Sequence, residues 1–435
     1  MRFTILTVGS TGDVLPLIAL GLGLKSAGHS VRIASHASFE SIASRNGLDF
    51  CCMEGDPKQI VQRHSGNVWI NRGTNAFDFA RGLRRIGAPM FEQMTKECLQ
   101  ACRGSEALIT SFLGYFIAYN VSEKLGIPLI LAFLQPTSPS QMYPSILFPE
   151  WPIRAPRLAG VYNRTTHWLS GHILWQLFRK PVNRTRCDIL GLPPLPFRAP
   201  FLAPSQSRIP TICGISPTVF PRPSDWGDNI HITGYWKLNP EPSWLPRRDL
   251  VAFLEAGPPP IYFGFGSMHL ANHQHASAMI REALRRVKQR GILLTGWGAP
   301  PQLEVTPELY QTEWIPHEWL FPRMAAVVHH GGAGTTGAGL SAGVPNIITP
   351  FFADQPFWGR RVHELGAGPP PIPFRKLSAD RLAHAISLAI SDSELRQRVA
   401  EIANRIRTED GVAGATKVIE NHINRSDVPR RATTQ

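Results

Sequence analysis

Apolar residues come in short β-branched runs that alternate with longer stretches of helical spacing. Phe3 to Val8 reads as a strand stopped by Gly9; an apolar stretch opened by Pro16 runs to Leu24, and Ala27-Gly28-His29 ends a helix before a second strand, Ser30 to Ser35. The rhythm recurs at Ala107 to Thr110, a helix through Lys124, and an apolar strand from Ile127 to Leu134. It restarts with Ile261 to Phe265, a helix about Ala276 to Arg290, and strands at Ile292 to Thr295, Ala325 to His329 and Pro345 to Thr349, with helices from Thr335, Gln355 and Ser378 and a helical end reaching about Ile423. Strands alternating with helices imply βαβ crossovers and parallel sheets. The proline-rich stretch 193–223 reads as the linker. The pattern thus predicts an α/β protein with a first domain over 1–215, a second over 216–425 and a flexible tail over 426–435. Two such sheets facing across a cleft would each present the carboxyl ends of their strands to a ligand.

Composition narrows the classes. Of 435 residues, 43% are hydrophobic and 18% charged, which excludes a disordered or fibrous chain. Lys and Arg total 45 against 32 Asp and Glu, a net charge of +13 that suits an anionic ligand or surface. The opening apolar run before Gly9 is too short for a signal peptide or membrane span. Six cysteines without CxxC spacing read as reduced, buried thiols of a cytoplasmic protein.

Between 141 and 200 the alternation breaks. Eight basic residues (Arg154, Arg157, Arg164, Arg179, Lys180, Arg184, Arg186 and Arg198) stand there against Glu150 and Asp188, together with Trp151, Trp168 and Trp175. The segment reads either as solvated helices packed on the first domain or as a surface for peripheral contact with an anionic membrane.

The strongest chemical feature is His329-His330-Gly331-Gly332-Ala333-Gly334-Thr335-Thr336, set between a strand and a helix. Glycines let backbone amides approach a ligand, and the helix start adds unpaired N–H groups and a positive dipole end, so the run reads as a diphosphate cradle. Asp354-Gln355 ends the next strand and could hydrogen-bond vicinal sugar hydroxyls; Asp354 also suits a helix N-cap. Gly264-Phe265-Gly266-Ser267 is a weaker phosphate signal. Gly9-Ser10-Thr11-Gly12-Asp13 lacks the dinucleotide-binding fingerprint, and its acidic residue would repel a diphosphate, which argues against a nicotinamide oxidoreductase. Asp13 is placed to take a proton from a hydroxyl or to cap a helix. No Asp-x-Asp pair is present, so no metal site is expected.

These residues resemble a known family. Gly9-Ser-Thr-Gly-Asp13 with Pro16 and Ala27-Gly28-His29 is similar to the start of GT-B, family 1 glycosyltransferases. Thr233-Gly-Tyr-Trp236, Phe253 to Pro260, Gly264 to Met268, His329 to Thr336 and Asp354-Gln-Pro-Phe-Trp358 resemble the sterol 3-beta-glucosyltransferase and antibiotic-aglycone branch. The resemblance implies two Rossmann-like domains, with the acceptor bound by the first, around Ser10, Thr11 and Gly12, the nucleotide sugar by the second, and the final helices of the second packing back on the first. It implies Asp13 as general base. It further implies His330, Gly332, Gly334 and Thr335 as diphosphate contacts, Ser267 as another, and Asp354 and Gln355 as sugar contacts. Trp314 resembles the tryptophan that stacks on uracil in plant members, at a shorter spacing to His330. Where plant members place a carboxylate partner for the base, this chain has Ser111.

The expected reaction is metal-free, inverting transfer of a hexose from a UDP-sugar to a lipophilic acceptor such as a sterol, with no cofactor beyond the donor and no nucleic-acid partner. A natural-product glycosyltransferase using a UDP- or dTDP-sugar, and a glycosyltransferase-like partner protein without activity, are the alternatives.

Overall fold

Seven parallel strands form the first sheet of the computed structural model, which describes residues 1–55, 90–151, 156–198, 209–238, 244–265, 273–295 and 305–427. They are β1 (Arg2–Leu6), β2 (Ser30–His36), β3 (Asp49–Met53), β4 (Ala107–Thr110), β5 (Leu129–Phe133), β6 (Thr211–Cys213) and β7 (Ile230–Ile232), in the spatial order β3-β2-β1-β4-β5-β6-β7. The chain winds outward from β1 to β3 and then returns to β4 on the other side of β1, with Leu6 level with Thr110. That reversal is a topological switch point, where the loops after β1 and β4 part and leave room for a ligand.

Both faces of this sheet are apolar, as a parallel sheet covered on two sides requires. Phe3, Ile5, Ile33 and Ile109 face the first helix, Thr11–Ser26, through Val14, Leu17, Ile18 and Leu24. Leu6, Leu108, Leu131 and Ala34 face the other way, against Val121, Trp175 and Phe178. The first helix starts at Thr11 with Ser10 as N-cap, so Pro16 lies inside it and does not open it.

The second sheet has five parallel strands, β8 (Ile261–Gly264), β9 (Gly291–Leu294), β10 (Leu309–Thr312), β11 (Ala326–His329) and β12 (Asn346–Ile348), ordered β10-β9-β8-β11-β12. Its switch point lies between β8 and β11, where His329 is level with Gly264.

The described residues divide into one unit that runs to Leu238 and resumes at Glu409 and another that lies between them in the chain. The boundary expected at 215/216 therefore moves to 238/239. The proline-flanked segment taken for a linker carries β6, and β7 follows it: Leu131 N–H donates to Pro210 O at 2.9 Å and Thr211 N–H to Asn229 O at 2.8 Å, tying both into the first sheet. The end of the chain also differs from expectation. Helices Ala379–Ser391 and Ser393–Arg407 stay in the second unit, and only Gly411–Asp427 belongs to the first. Its Ala415 and Ile419 pack in the same core as the first helix, and Gly23 lies so close to Val412 and Thr416 that a side chain there would collide. His29 Nε2 pairs with Glu420 at 3.1 Å. Glu409 begins the return by accepting hydrogen bonds from Ser216 Oγ at 2.7 Å and Thr218 Oγ1 at 2.8 Å. Of the expected tail, 428–435 lie outside the described residues.

The segment 141–198 is dominated by one helix, Pro156–Thr185. Two residues expected on its surface are buried. Trp175 is enclosed by the first unit's core, and Arg186 is 1% exposed. The Arg186 guanidinium donates to both Glu123 carboxylate oxygens at 2.8 and 2.9 Å, to Asn120 Oδ1 at 2.9 Å and to Pro193 O at 2.8 Å. A charge enclosed this far must be paired, and the fork of the guanidinium matches the carboxylate. All six cysteines are free thiols; Cys98, Cys102 and Cys213 are buried as expected, whereas Cys52 and Cys187 are exposed and Cys51 is half-buried.

Candidate functional site

In the first unit the loop after β1 is built around Asp13. Gly9 takes φ +133°, a conformation that glycine adopts at little cost, and its N–H donates to His36 Nε2 at 3.3 Å. That turn points the first helix so that Ser10 N–H and Ser10 Oγ both donate to Asp13 Oδ2, at 2.8 and 2.9 Å. Thr7 Oγ1 adds a bond to the Asp13 carbonyl at 3.1 Å. Asp13 is thus a capping-box residue, and the capping reading of the sequence holds. Its other oxygen, Oδ1, has no hydrogen-bond donor among the described residues. Burial raises the carboxyl above its usual range, and the two bonds from Ser10 pull it partly back. One carboxylate oxygen is thus held while the other has no donor, so capping the helix does not use up both oxygens. Thr11 and Gly12 are exposed at the helix start. Ser111 follows β4 across the switch point, buried, with its Oγ unpartnered among the described residues.

In the second unit, the candidate donor residues gather at the ends of β11 and β12. The histidine pair divides its work. His329 is fully buried; its Nδ1 accepts Gly331 N–H at 3.1 Å and its Nε2 lies 2.9 Å from Asn346 Oδ1. Burial pushes its pKa down to about 3, so it is a neutral strut for the loop. His330 is half-buried, and burial lowers its pKa to about 4 against the opposing pull of the Gly264 carbonyl. Its Nδ1 has no partner among the described residues, nor has the hydroxyl of fully buried Thr336. Gly332 is the N-cap of the helix Ala333–Ala342, exposed Gly334 and half-buried Thr335 form its first turn, and the first helical bond runs from Thr336 N–H to Gly332 O at 2.9 Å. The amides before it have no intrahelical acceptor and face outward, the arrangement that binds anions.

Gly331, at φ +92°, holds this loop against the next one: a Cβ there would lie 2.7 Å from Ile348 Cγ2 and 3.1 Å from Gln355 O. Asp354 precedes the helix Gln355–Glu364 and accepts Trp358 Nε1–H at 3.0 Å. The Gln355 Oε1 accepts Phe351 N–H at 2.8 Å and Phe352 N–H at 3.3 Å, so the side-chain carbonyl braces the turn. Trp314 follows β10, 58% exposed, edge-on to Trp244 with ring centroids 6.5 Å apart. Ser267 lies outside the described residues. Sequence reasoning missed His317, whose Nε2 is 3.1 Å from Tyr262 Oη and whose ring stacks on Phe321 at 4.4 Å; burial lowers its pKa to about 4, and His330 adds to the effect. Its position after Trp314-Ile315-Pro316 is the one signal that could have flagged it. Among the described residues no three His, Cys, Asp or Glu side chains converge as a metal site.

Two parallel sheets, each with a switch point between its strands, have parallels among solved proteins. The glycosyltransferase of kitacinnamycin superposes with a TM-score of 0.66 at 18% identity, covering 97% of this chain and 98% of that one. The calicheamicin glycosyltransferase does so at 0.65 and 16%, covering 98% of each. The description "Glycosyltransferase family 28 N-terminal domain" matches residues 3–144, and "Erythromycin biosynthesis protein CIII-like, C-terminal domain" matches 292–410. The chain is a glycosyltransferase of the GT-B fold.

Its relatives are more specific. A sterol 3-beta-glucosyltransferase of Arabidopsis thaliana is 35% identical over 97% of this chain, which covers 68% of that protein. One of Neosartorya fischeri is 36% identical over 96% of this chain, which covers 29% of it. This chain belongs to the sterol 3-beta-glucosyltransferase family, and it spans about two thirds of the plant relative and less than a third of the fungal one.

Proposed function

We propose that this protein transfers glucose from UDP-glucose to the hydroxyl of a sterol or similar lipophilic alcohol, with inversion and without a metal. In this reading Asp13 Oδ1 takes the acceptor's proton while Ser10 holds Oδ2, and the oxygen attacks the anomeric carbon as the C–O bond to UDP breaks. The amides at Gly334 and Thr335, with His330, stabilise the charge that gathers on the departing diphosphate. Asp354 and Gln355 bind sugar hydroxyls, Trp314 stacks on the base, and Ser267 adds a phosphate contact. Ser10, Thr11 and Gly12 border the acceptor.

The observation that carries this reading is the pair of devices within one member of the family: a half-occupied, burial-raised carboxylate at one switch point and an anion cradle at the other. A panel of UDP- and dTDP-sugars, each mixed with detergent-dispersed sterol, tests it by release of the nucleoside diphosphate and by mass of the product. UDP release with a sterol hexoside, undiminished by EDTA, is expected. Transfer from dTDP-sugars alone, or loss with EDTA and rescue by Mg²⁺ or Mn²⁺, would overturn the donor or the mechanism. A water-insoluble acceptor also calls for a cytoplasmic enzyme that touches membranes peripherally. Among the described residues no helix is long and apolar enough to cross one.

A further inference from the structure

Large apolar side chains exposed to solvent are unevenly placed. Among the described residues, seven of fifteen fall between Met142 and Phe197. Leu158, Val161, Thr165, Trp168 and His172 step by three and four residues along the helix Pro156–Thr185, so they share one face. Val161 is 65% exposed and Trp168 55%, and the row spans about 20 Å at the rise of an α-helix. Beside it stands a stacked aromatic ladder. Trp168 lies flat on His172 at 5.3 Å, His172 meets Phe197 at 5.6 Å, and the Arg179 guanidinium caps Phe197 at 5.2 Å. Phe197 is itself 61% exposed.

The charge on this element has one sign. The helix Pro156–Thr185 contains Arg157, Arg164, Arg179, Lys180 and Arg184 and not one Asp or Glu. Arg157, Arg164 and Lys180 are exposed, whereas Arg184 is paired with Asp188 at 3.5 Å. A second copy of this face would bring like charges together with no carboxylate on the helix to neutralise them. A plane of phosphate headgroups over hydrocarbon complements both features: aromatic rings settle at the interface, and long basic side chains keep their heads among the phosphates.

We propose that the outward face of the helix Pro156–Thr185, together with Phe197, docks this protein on an anionic phospholipid bilayer. Trp168, Val161 and Phe197 enter the interface, and Arg157, Arg164 and Lys180 meet lipid phosphates. Arg186 and Trp175 take no part, because they are buried in the core. The proposal rests on the reading of a lipophilic acceptor, since docking would put the enzyme where such an alcohol dissolves. The association is electrostatic in large part and reversible, and salt weakens it as the screening length falls below about 10 Å.

Sedimentation of the full chain with phosphatidylcholine vesicles, with and without phosphatidylserine, tests the proposal. Binding is expected only with phosphatidylserine, weakening as salt rises. The variant Arg157→Gln/Arg164→Gln/Lys180→Gln should lose roughly 10²-fold in partitioning, at about fivefold per basic residue. Val161→Ser/Trp168→Ser should lose binding to the same vesicles while keeping the thermal midpoint. Both variants should retain wild-type turnover on detergent-dispersed acceptor. A wild type that stays in the supernatant at every composition, or one that binds neutral vesicles equally well, would overturn the proposal. So would a dimer in light scattering that Val161→Ser/Trp168→Ser abolishes. Sedimentation without any transfer to dispersed sterol would instead sink the catalytic reading and leave the docking surface standing.

Discussion

Asp13 hangs directly over Gly9. A Cβ built on Gly9 would sit 2.5 Å from Asp13 Oδ2, so the carboxyl occupies the space that any other residue at position 9 would fill. Backbone conformation and the placement of the candidate base are thereby joined: the positive φ that turns the chain out of β1 also opens the seat for the carboxylate.

Asp13→Asn keeps the shape and can still accept the Ser10 bonds, but cannot take a proton. Turnover at saturating acceptor should fall at least about 10²-fold with donor affinity unchanged. Burial raises the native carboxyl above its unfolded value, so the native state binds the extra proton and Asp13 favours folding below the ordinary carboxylate pKa. That contribution is lost as pH rises through the raised value. At neutral pH the Asn variant should therefore melt no lower than wild type. A variant that kept its turnover would reduce Asp13 to a helix cap.

The acid limb of the kcat/KM profile should reflect the same carboxyl. Activity should rise with pH through a pKa above that of an exposed aspartate, and Asp13→Asn should flatten the limb. A midpoint at or below the ordinary aspartate value would contradict the shift.

Gly9→Ala should imitate Asp13→Asn in rate while also costing about 1–3 kcal/mol of stability, because alanine is strained at φ +133° and its methyl displaces the carboxyl. Comparing turnover with urea denaturation separates the two effects; wild-type turnover would mean that the seat is not needed.

His330→Ala should weaken UDP binding about tenfold, the scale of one lost hydrogen bond in a shielded site. Because burial holds the imidazole near pKa 4, its share of UDP affinity should not change between pH 6 and 8. Calorimetry that finds an unchanged dissociation constant would remove His330 from the cradle.

Arg186→Gln and Arg184→Gln, two residues apart, should behave oppositely. The first strips Glu123 and Asn120 of their buried partner and should cost about 2–4 kcal/mol, tempered by the partial exposure of Glu123. The second removes a charge that is 77% exposed and should change stability by less than about 0.5 kcal/mol.

That contrast marks how far the amino-acid order could be read. Arg184 and Arg186 are the same residue type in the same polar segment, and only the position of Glu123 on another helix separates them. His329 and His330 are likewise indistinguishable as letters; which one braces the loop and which one keeps an unpartnered ring nitrogen depends on the pairing of β11 with β12, which brings Asn346 under the first. The loops after β1 and β11 were legible because an apolar run, a glycine and a helical period follow in immediate order. Strands β6 and β7 were not, because three residues between prolines carry no period and their hydrogen bonds come from distant strands. The return of Gly411–Asp427 was anticipated through resemblance, but its extent was not, since Ala379–Ser391 and Ser393–Arg407 have equally amphipathic patterns and differ only in what they cover.

The path of the chain near Gly234 bears on how such a protein can be rebuilt. Residues 239–408 are spliced into the first unit, which resumes at Glu409, and Gly411 is pressed so closely on the Gly234 backbone that a Cβ on Gly411 would lie 2.5 Å from Gly234 C. An exchange of the second unit between homologues therefore needs two seams, one near 238 and one near 408. A conventional fusion with a single crossover would graft a foreign last helix onto the first, where Gly23 must accept Val412 and Thr416 and His29 must find Glu420.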